Sequence, residues 1–384
     1  MSINVVTPER FSPDRVRLEH HNLPAREITQ SVANMVLVWD RLRSDNPRIR
    51  WNELIGRGLE ICHGRKLPWQ ENPSASIREG MSVAAVNAAM TNTINVKLVE
   101  GFRSVPNSTL GWSTETEILN FMPASAVTAY DSFRLEHSDR SPAGDATIGL
   151  LNESWGLARF SKQFILDETD LLNSPSVDLS LLMATELGKA AKRLVIDLAW
   201  AVLLANNPTA YDGLNLFSTE HLNYLTGGSS SLASGLDNGM SLLASAAAPS
   251  QDGFDIPVGA QPKYLIVPPA SYAAALRQVR LMKQDNDRDL TVVVEPRIAA
   301  GVVHPTQERI VEGKAGGWLL ASPASIAPSL LLGSLEGQGL TPVMRTFPLS
   351  GPTFAGQWGW GADVHLDVAA CVVDWRSLVW SDGA

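Results

Sequence analysis

The chain is poor in charge, in cysteine and in long apolar runs, and each shortage excludes something. Charged residues make up only 18% of its 384 positions, too few for a solvated, disordered polymer when 45% are apolar. The two cysteines, Cys62 and Cys371, stand far apart and outside any CxxC or Cys/His spacing, which excludes a disulfide framework and a structural zinc site. Lys plus Arg total 31 against 40 Asp plus Glu, a formal charge of -9. Such a balance argues against gripping nucleic acid by bulk charge. The longest apolar stretch, 194–205, is interrupted by Asp197 and closed by Asn206-Asn207-Pro208, and 318–332 carries two prolines; neither spans a bilayer. The opening MSINVVTPERFSPDR holds early acidic residues and no apolar core, so no secretory signal and an intracellular protein are expected. No repeat of 20 to 50 residues is visible.

What is present is enough apolar residue for a large core and a clear order of elements. Residues 1–80 hold twelve Lys/Arg, eleven of them Arg, against ten Asp/Glu, or +2 by subtraction, and the remainder carries -11. Apolar spacing predicts two short helices over 25–43 and 51–62, joined through Asn46-Pro47. Residues 72–76 read as a linker, followed by a helix over 81–102. From 115 to 161 apolar stretches approach and leave a polar tip, His137 to Asp145, which predicts a long two-stranded excursion. An isolated hairpin is marginal in water, so this one needs another surface, and a neighbouring subunit is the expected one.

The strongest local signal follows. Leu179, Met183, Leu187, Ala190, Leu194, Leu198, Ala201 and Ala205 recur at helical spacing, predicting a helix of about 28 residues, roughly 42 Å long. Asp178 is its expected N-cap, Gly188 a point of close backbone approach and Pro208 its stop. A Gly/Ser-rich loop over 226–235 comes next. Helices near 239–247 and 271–282 then alternate with strands at 263–267, 290–295, 317–321 and 330–335, and the tail, 362–380, reads as one or two strands. The fold class is α+β.

Chemistry is harder to find. Glu19-His20-His21 has metal-ligand residue types, but adjacent histidines point apart on a regular backbone. Ser218, His221 and Asp212 are hydrolase types without a G-x-S-x-G elbow, and Ser-x-x-His after a turn is a common capping arrangement. Glu312-Gly-Lys-Ala-Gly-Gly317 lacks phosphate-loop spacing and reads as a hairpin turn. Asp167, Glu168 and Asp170 read as a solvated loop or an intersubunit ion-pair site rather than acid/base or calcium machinery. Asp197, inside the long helix, must find a partner, because a buried lone carboxylate is costly. The eleven tryptophans are expected in the core and at interfaces. No catalytic residue, cofactor or metal is therefore expected.

The order of these segments resembles a tailed-phage major capsid protein of the Hong Kong 97 fold, and more narrowly the Mu-type major head subunit. The resemblance rests on the helix over 81–102, the long arm, ARFSKQFILDETDLL (158–172), the long helix, and Asp212-Gly213, Leu216-Phe217-Ser218 and His221-x-Asn223. Later matches are KYLIVPPASYAAAL (263–276), GWLLASP (317–323), LLLGSLEGQGLTPV (330–343) and HLDVAACVVDWRSLVWSDG (365–383).

The resemblance implies an N-terminal arm (1–80), a lead-in to the P-domain (81–114), an E-loop (115–161) and a P-domain (162–236) with a spine helix over 178–206. An A-domain (237–360) and C-terminal P-domain strands (361–384) complete it. The implied function is a non-enzymatic icosahedral shell around a double-stranded DNA genome. The implied partners are other copies in hexamers and pentamers, a portal protein, a scaffolding or decoration protein, and packaged DNA by weak contact. The implied place is the virion, after assembly in the host cytoplasm. Expected intersubunit contacts are Arg134, Arg140, Asp145, Asp167, Glu168 and Asp170. Some relatives cross-link through an E-loop lysine; residues 122–159 contain none, so an uncross-linked shell is expected. The alternatives are an encapsulin-like nanocompartment and a soluble hydrolase.

Overall fold

Helices and sheets alternate through the computed structural model, which describes residues 25–63, 72–130, 149–173, 177–209, 212–227, 231–248, 256–286, 290–348 and 359–383. The α+β expectation holds, with short strands assembled into sheets from distant parts of the chain. Two compact units form. One is built from 1–104, 161–190 and 342–365, the other from 105–160, 191–341 and 366–384.

The first unit is organised by four helices: α1 (Ala25–Asp45), α2 (Trp51–His63), α3 (Pro73–Ser82) and α4 (Ala84–Ser104). α2 and α3, of 13 and 10 residues, are too short to persist alone in water, and all four draw on the faces they bury. Met35 and Trp39 of α1, Leu54, Ile55 and Leu59 of α2, Ile77 of α3 and Val86 and Met90 of α4 share one core with Leu171, Val177, Leu181, Trp360 and Ala362. Trp39 and Trp51 meet edge to face at 6.2 Å, the arrangement their ring quadrupoles favour. The helix Val177–Ala205, 29 residues long, gives its first half to this unit. It meets α4 through glycines: a Cβ on Gly188 would collide with the Leu98 carbonyl, and one on Gly101 with that of Thr185.

The second unit centres on a five-stranded sheet ordered Tyr224–Leu225, Leu378–Ser381, Trp318–Ala321, Tyr264–Val267, Thr291–Val294. The last two strands are parallel and joined by the helix Tyr272–Asn286, the crossover that parallel pairing requires. That helix and Leu232–Ala244 cover the sheet through Ala275, Val279, Leu236, Met240 and Leu243, packed on Leu265, Val267, Trp318 and Leu320. Elsewhere in the unit Ser113–Ile118 runs parallel to Leu330–Leu335, which pairs antiparallel with the second half of Gly359–Val372. Ala124–Tyr130 and Gly149–Trp155 form an antiparallel hairpin, a two-stranded sheet of its own.

Several expectations change. Residues 72–76 are not a linker: Asn72 caps α3, its side-chain oxygen accepting from Ala75 N–H at 3.1 Å, with Pro73 next to it. Asn-Pro-Ser punctuates a helix start as readily as a loop. Residues 232–235 are helical for the same reason, capped by Ser231. Asp178 is not the N-cap, since the helix already includes Val177. The two-stranded excursion is narrower than 115–161, because Ser113–Ile118 and Ala158–Asp167 are strands of the larger sheet. The stretch after Val311 does not close a hairpin; Ile310–Val311 pairs with Val302–Val303, and Trp318–Ala321 lies in another sheet. Within the first unit α1 to α3 share a core with α4, and 342–365 belong to the same unit.

Candidate functional site

The hairpin's root is where chain order and tertiary packing meet. Ala124 and Trp155 face each other as its first register pair. Trp155 packs with Ile118, Leu157 and Ala369 on one side and with Ala126, Cys371 and Val373 on another. Just beyond the second strand, Arg159 donates two hydrogen bonds, from Nε and an Nη, to the two oxygens of Asp367, both at 2.8 Å. The Asp367 carboxylate is fully buried, and such a bidentate charge-assisted pair is strong and geometrically specific. The Arg159 guanidinium also lies 5.2 Å from the ring centroid of Phe121, at the other end of the hairpin root.

Beside the root lies an open groove of about 340 Å³, lined among others by Glu153, Trp155, Leu198, Val202, His304 and Cys371. Burial pushes the Cys371 thiol up to about 12, helped by the nearby Glu153 carboxylate; it is an inert, apolar wall group. The loop Leu119, Phe121 and Met122, between the body strand and the hairpin, is exposed.

A second pin joins the long helix to the strand ending at Val294. Glu295 is 1% exposed and accepts from Ser108 Oγ, from Arg297 N–H at 3.0 Å and from Arg297 Nη at 2.9 Å. Arg297 Nε reaches Asp197, the partner that carboxylate was expected to need. Trp200 Nε1 donates to Ser108 Oγ at 3.1 Å and Trp112 Nε1 to Ser108 O at 2.8 Å. Burial opposes the charge on Arg297, but Glu295 and Asp197 outweigh it and raise its pKa.

The Asp212, Ser218, His221 group is a structural knot, not a relay. His221 Nε2 lies 2.8 Å from Asp212 Oδ2 and Nδ1 3.2 Å from Leu216 O. Ser218 Oγ accepts His221's own backbone N–H at 3.1 Å, as the capping alternative requires. Both ring nitrogens are engaged away from the hydroxyl, unlike the base of a nucleophile–base pair. The ring stacks on Trp375 at 4.1 Å; Arg376 lies 4.2 Å from that indole's centroid and pairs with Asp374 at 3.1 Å. Burial raises the Asp374 pKa, although Arg376 pulls it down. Asn206 and Asn223 bind the backbone of Phe217, Ser218 and Leu216, which explains the string's residue types.

Of the expected intersubunit residues, Arg134, Arg140 and Asp145 lie outside the described residues. Asp167 ends a strand and Glu168 starts the helix Glu168–Asn173, their side chains outside the description, while Asp170 is exposed. Glu19, His20 and His21 also lie outside. Among the described residues no acidic, His and Cys group is arranged to hold a metal ion, and no helix is long and apolar enough to cross a membrane. Sequence reasoning missed the Arg159–Asp367 pin and Glu295. The available signal was an acid at 367 between apolar neighbours in a strand.

A family model described as phage capsid protein matches residues 153–381, more than half the chain. No curated protein sequence matches. The fold is similar to a phage-related protein from Bordetella bronchiseptica, at 14% identity over 74% of this chain and 96% of that one, TM-score 0.45. It is also similar to the mature capsid of bacteriophage PhiM1, at 10% identity over 72% and 87%, TM-score 0.45. A third similar structure is an encapsulin from Synechococcus elongatus, at 10% identity over 73% and 87%, TM-score 0.43.

Proposed function

Because the chain belongs to the phage capsid protein family, a group of virion shell components, we propose that it is the major head subunit of a tailed phage, of the Mu-type branch and the Hong Kong 97 fold. It closes as hexamers and pentamers into an icosahedral shell around double-stranded DNA. It does so without catalysis, after assembly in the host cytoplasm, meeting a portal protein at one vertex and a scaffolding or decoration protein. In this reading the hairpin is the E-loop, Val177–Ala205 the spine helix of the P-domain, and the sheet covered by Leu232–Ala244 and Tyr272–Asn286 the A-domain. Arg134, Arg140, Asp145, Asp167, Glu168 and Asp170 are its proposed subunit contacts.

The observation that carries the reading is the family match, which starts on the hairpin's returning strand and runs to the last sheet strand. The two-stranded hairpin, joined to no other sheet among the described residues, supports it, since such an element gains stability by lying on a further surface. Shell strength then sums many modest contacts per subunit. Negative-stain electron microscopy of the expressed chain after a sizing column tests it. Uniform closed particles that package nucleic acid support a phage shell. Particles enclosing a protein cargo would overturn the DNA part, and a discrete oligomer of a few subunits would overturn the shell.

A further inference from the structure

We infer that the α1–α2 turn is the surface by which the subunit touches the phosphate backbone of the packaged duplex, an inference that rests on the shell reading above. Residues 40–50 hold four arginines, at 41, 43, 48 and 50, against Asp40 and Asp45, or +2, in a chain of net charge -9. Arg43 is committed to Asp40 at 3.4 Å. Arg41, Arg48 and Arg50 are exposed and make no ion pair among the described residues.

The turn that carries them is rigid. Asn46 N–H donates to Leu42 O at 2.9 Å, Ile49 N–H to Asn46 O at 3.0 Å, and Arg48 N–H to Asn46 Oδ1 at 3.1 Å. Ile49 is 5% exposed, and its carbonyl accepts from Val177 N–H at 3.0 Å. Arg48 and Arg50 flank that buried residue and are themselves exposed. The backbone is thus fixed to the core on one side while the guanidinium groups stand in solvent on the other.

The chemistry of the surroundings chooses between two acidic partners, a neighbouring protein surface and a nucleic acid. Arginine is common to both kinds of interface, but a protein interface also needs an apolar or aromatic centre for it to flank. Leu37, one helical turn before Arg41, is 41% exposed, and from there to the end of α2 the described residues expose no further large apolar side chain; one leucine is no apolar centre, and the turn offers arginines, Ser44 and Asn46 instead. Arginine with small polar donors is the phosphate-contacting set of protein–DNA interfaces, which position a duplex without reading its sequence. Low bulk charge does not oppose such a contact, because counterion release counts only the phosphates neutralised locally.

The test uses full-length subunits, released from purified shells or, should none form, purified as expressed, and titrated with a short labelled DNA duplex over a series of salt concentrations. Replacing Arg41, Arg48 and Arg50 together by Gln is expected to lower the slope of log affinity against log salt by about 3, at roughly 0.9 per lost phosphate contact. The same three replaced by Lys should keep the slope, since charge rather than geometry carries the term. If the Gln variant is insoluble, Arg48→Gln alone should lower the slope by about 1. An unchanged slope in a Gln variant that still forms shells overturns the inference and leaves the shell reading standing. Unchanged duplex binding with failed shell closure also overturns it, assigning the turn to a subunit contact. If the native chain forms no shells yet its subunits lose the slope on substitution, the shell reading fails and the DNA surface stands.

Discussion

Single residues hold joints in this protein, and Arg297 shows it most sharply. It serves two carboxylates, Glu295 and Asp197, whose side chains are 2% and 33% exposed. Removing the cation from a buried acid leaves an uncompensated charge, whereas removing the half-solvated acid leaves the inner pair intact. Arg297→Met should therefore cost about 3–5 kcal/mol and Asp197→Asn only about 1 kcal/mol, compared by urea unfolding of the unassembled subunit. Equal losses would show that Asp197, not Glu295, is the group that depends on the arginine. His304 gives a pH prediction at the same scale. Burial first, then Arg309, holds its pKa below the ordinary value, so below about pH 6.5 the unfolded chain takes up a proton that the folded one resists. Stability falls as pH drops until the folded group itself titrates. His304→Gln should flatten the fall in unfolding midpoint between about pH 7 and about pH 5; an unaltered profile would remove His304 as its source.

Among the elements, the hairpin Ala124–Tyr130 with Gly149–Trp155 is the one whose chemistry can be tested directly. Its root is anchored to the sheet by Trp155 and by the Arg159–Asp367 pair. No lysine occurs between residues 122 and 159, so the hairpin has no amine from which an isopeptide bond to a neighbour could form. Purified particles boiled in denaturant should run as one band near 41.5 kDa. A ladder of covalent multimers would mean that a lysine outside the hairpin does the joining. The long helix was legible element by element because its 3.6-residue apolar period runs unbroken through Val177–Ala205. Gly188 was legible too, because two helices can approach closely only where one of them lacks a Cβ. Asn72-Pro73 was misread, because the same residues punctuate loops and cap helices, and only the following turns decide which.

For the whole molecule, the front of the chain matters more than an arm would. Met35, Trp39, Trp51, Leu54, Ile55 and Leu59 share one core with Met90, Leu171 and Trp360. Deleting residues 2–75 would uncover Val86, Met90, Ile94, Leu171 and Leu181 at once. Each large buried side chain left without its partners costs on the order of 2–5 kcal/mol, and the sum exceeds the roughly 5–15 kcal/mol by which a domain is stable. The truncated chain should be insoluble on expression and sedimentation; soluble subunits or normal shells from it would show that the segment is a detachable latch after all.

Composition and periodicity by themselves determined that this chain builds a large core. They also determined where most helices and strands lie, since burial writes a period of 3.6 or 2 into local sequence. The segment order determined a resemblance to phage head subunits, and the family match bears out the capsid part of it. Only the tertiary structure decided that Arg159 meets Asp367 across 208 positions and that Ser108 meets Glu295 across 187. It alone decided that His221 turns both nitrogens away from Ser218. Pairing of distant polar groups leaves no period in the sequence: it depends on which strands the chain brings side by side, and that is settled by packing the apolar faces first.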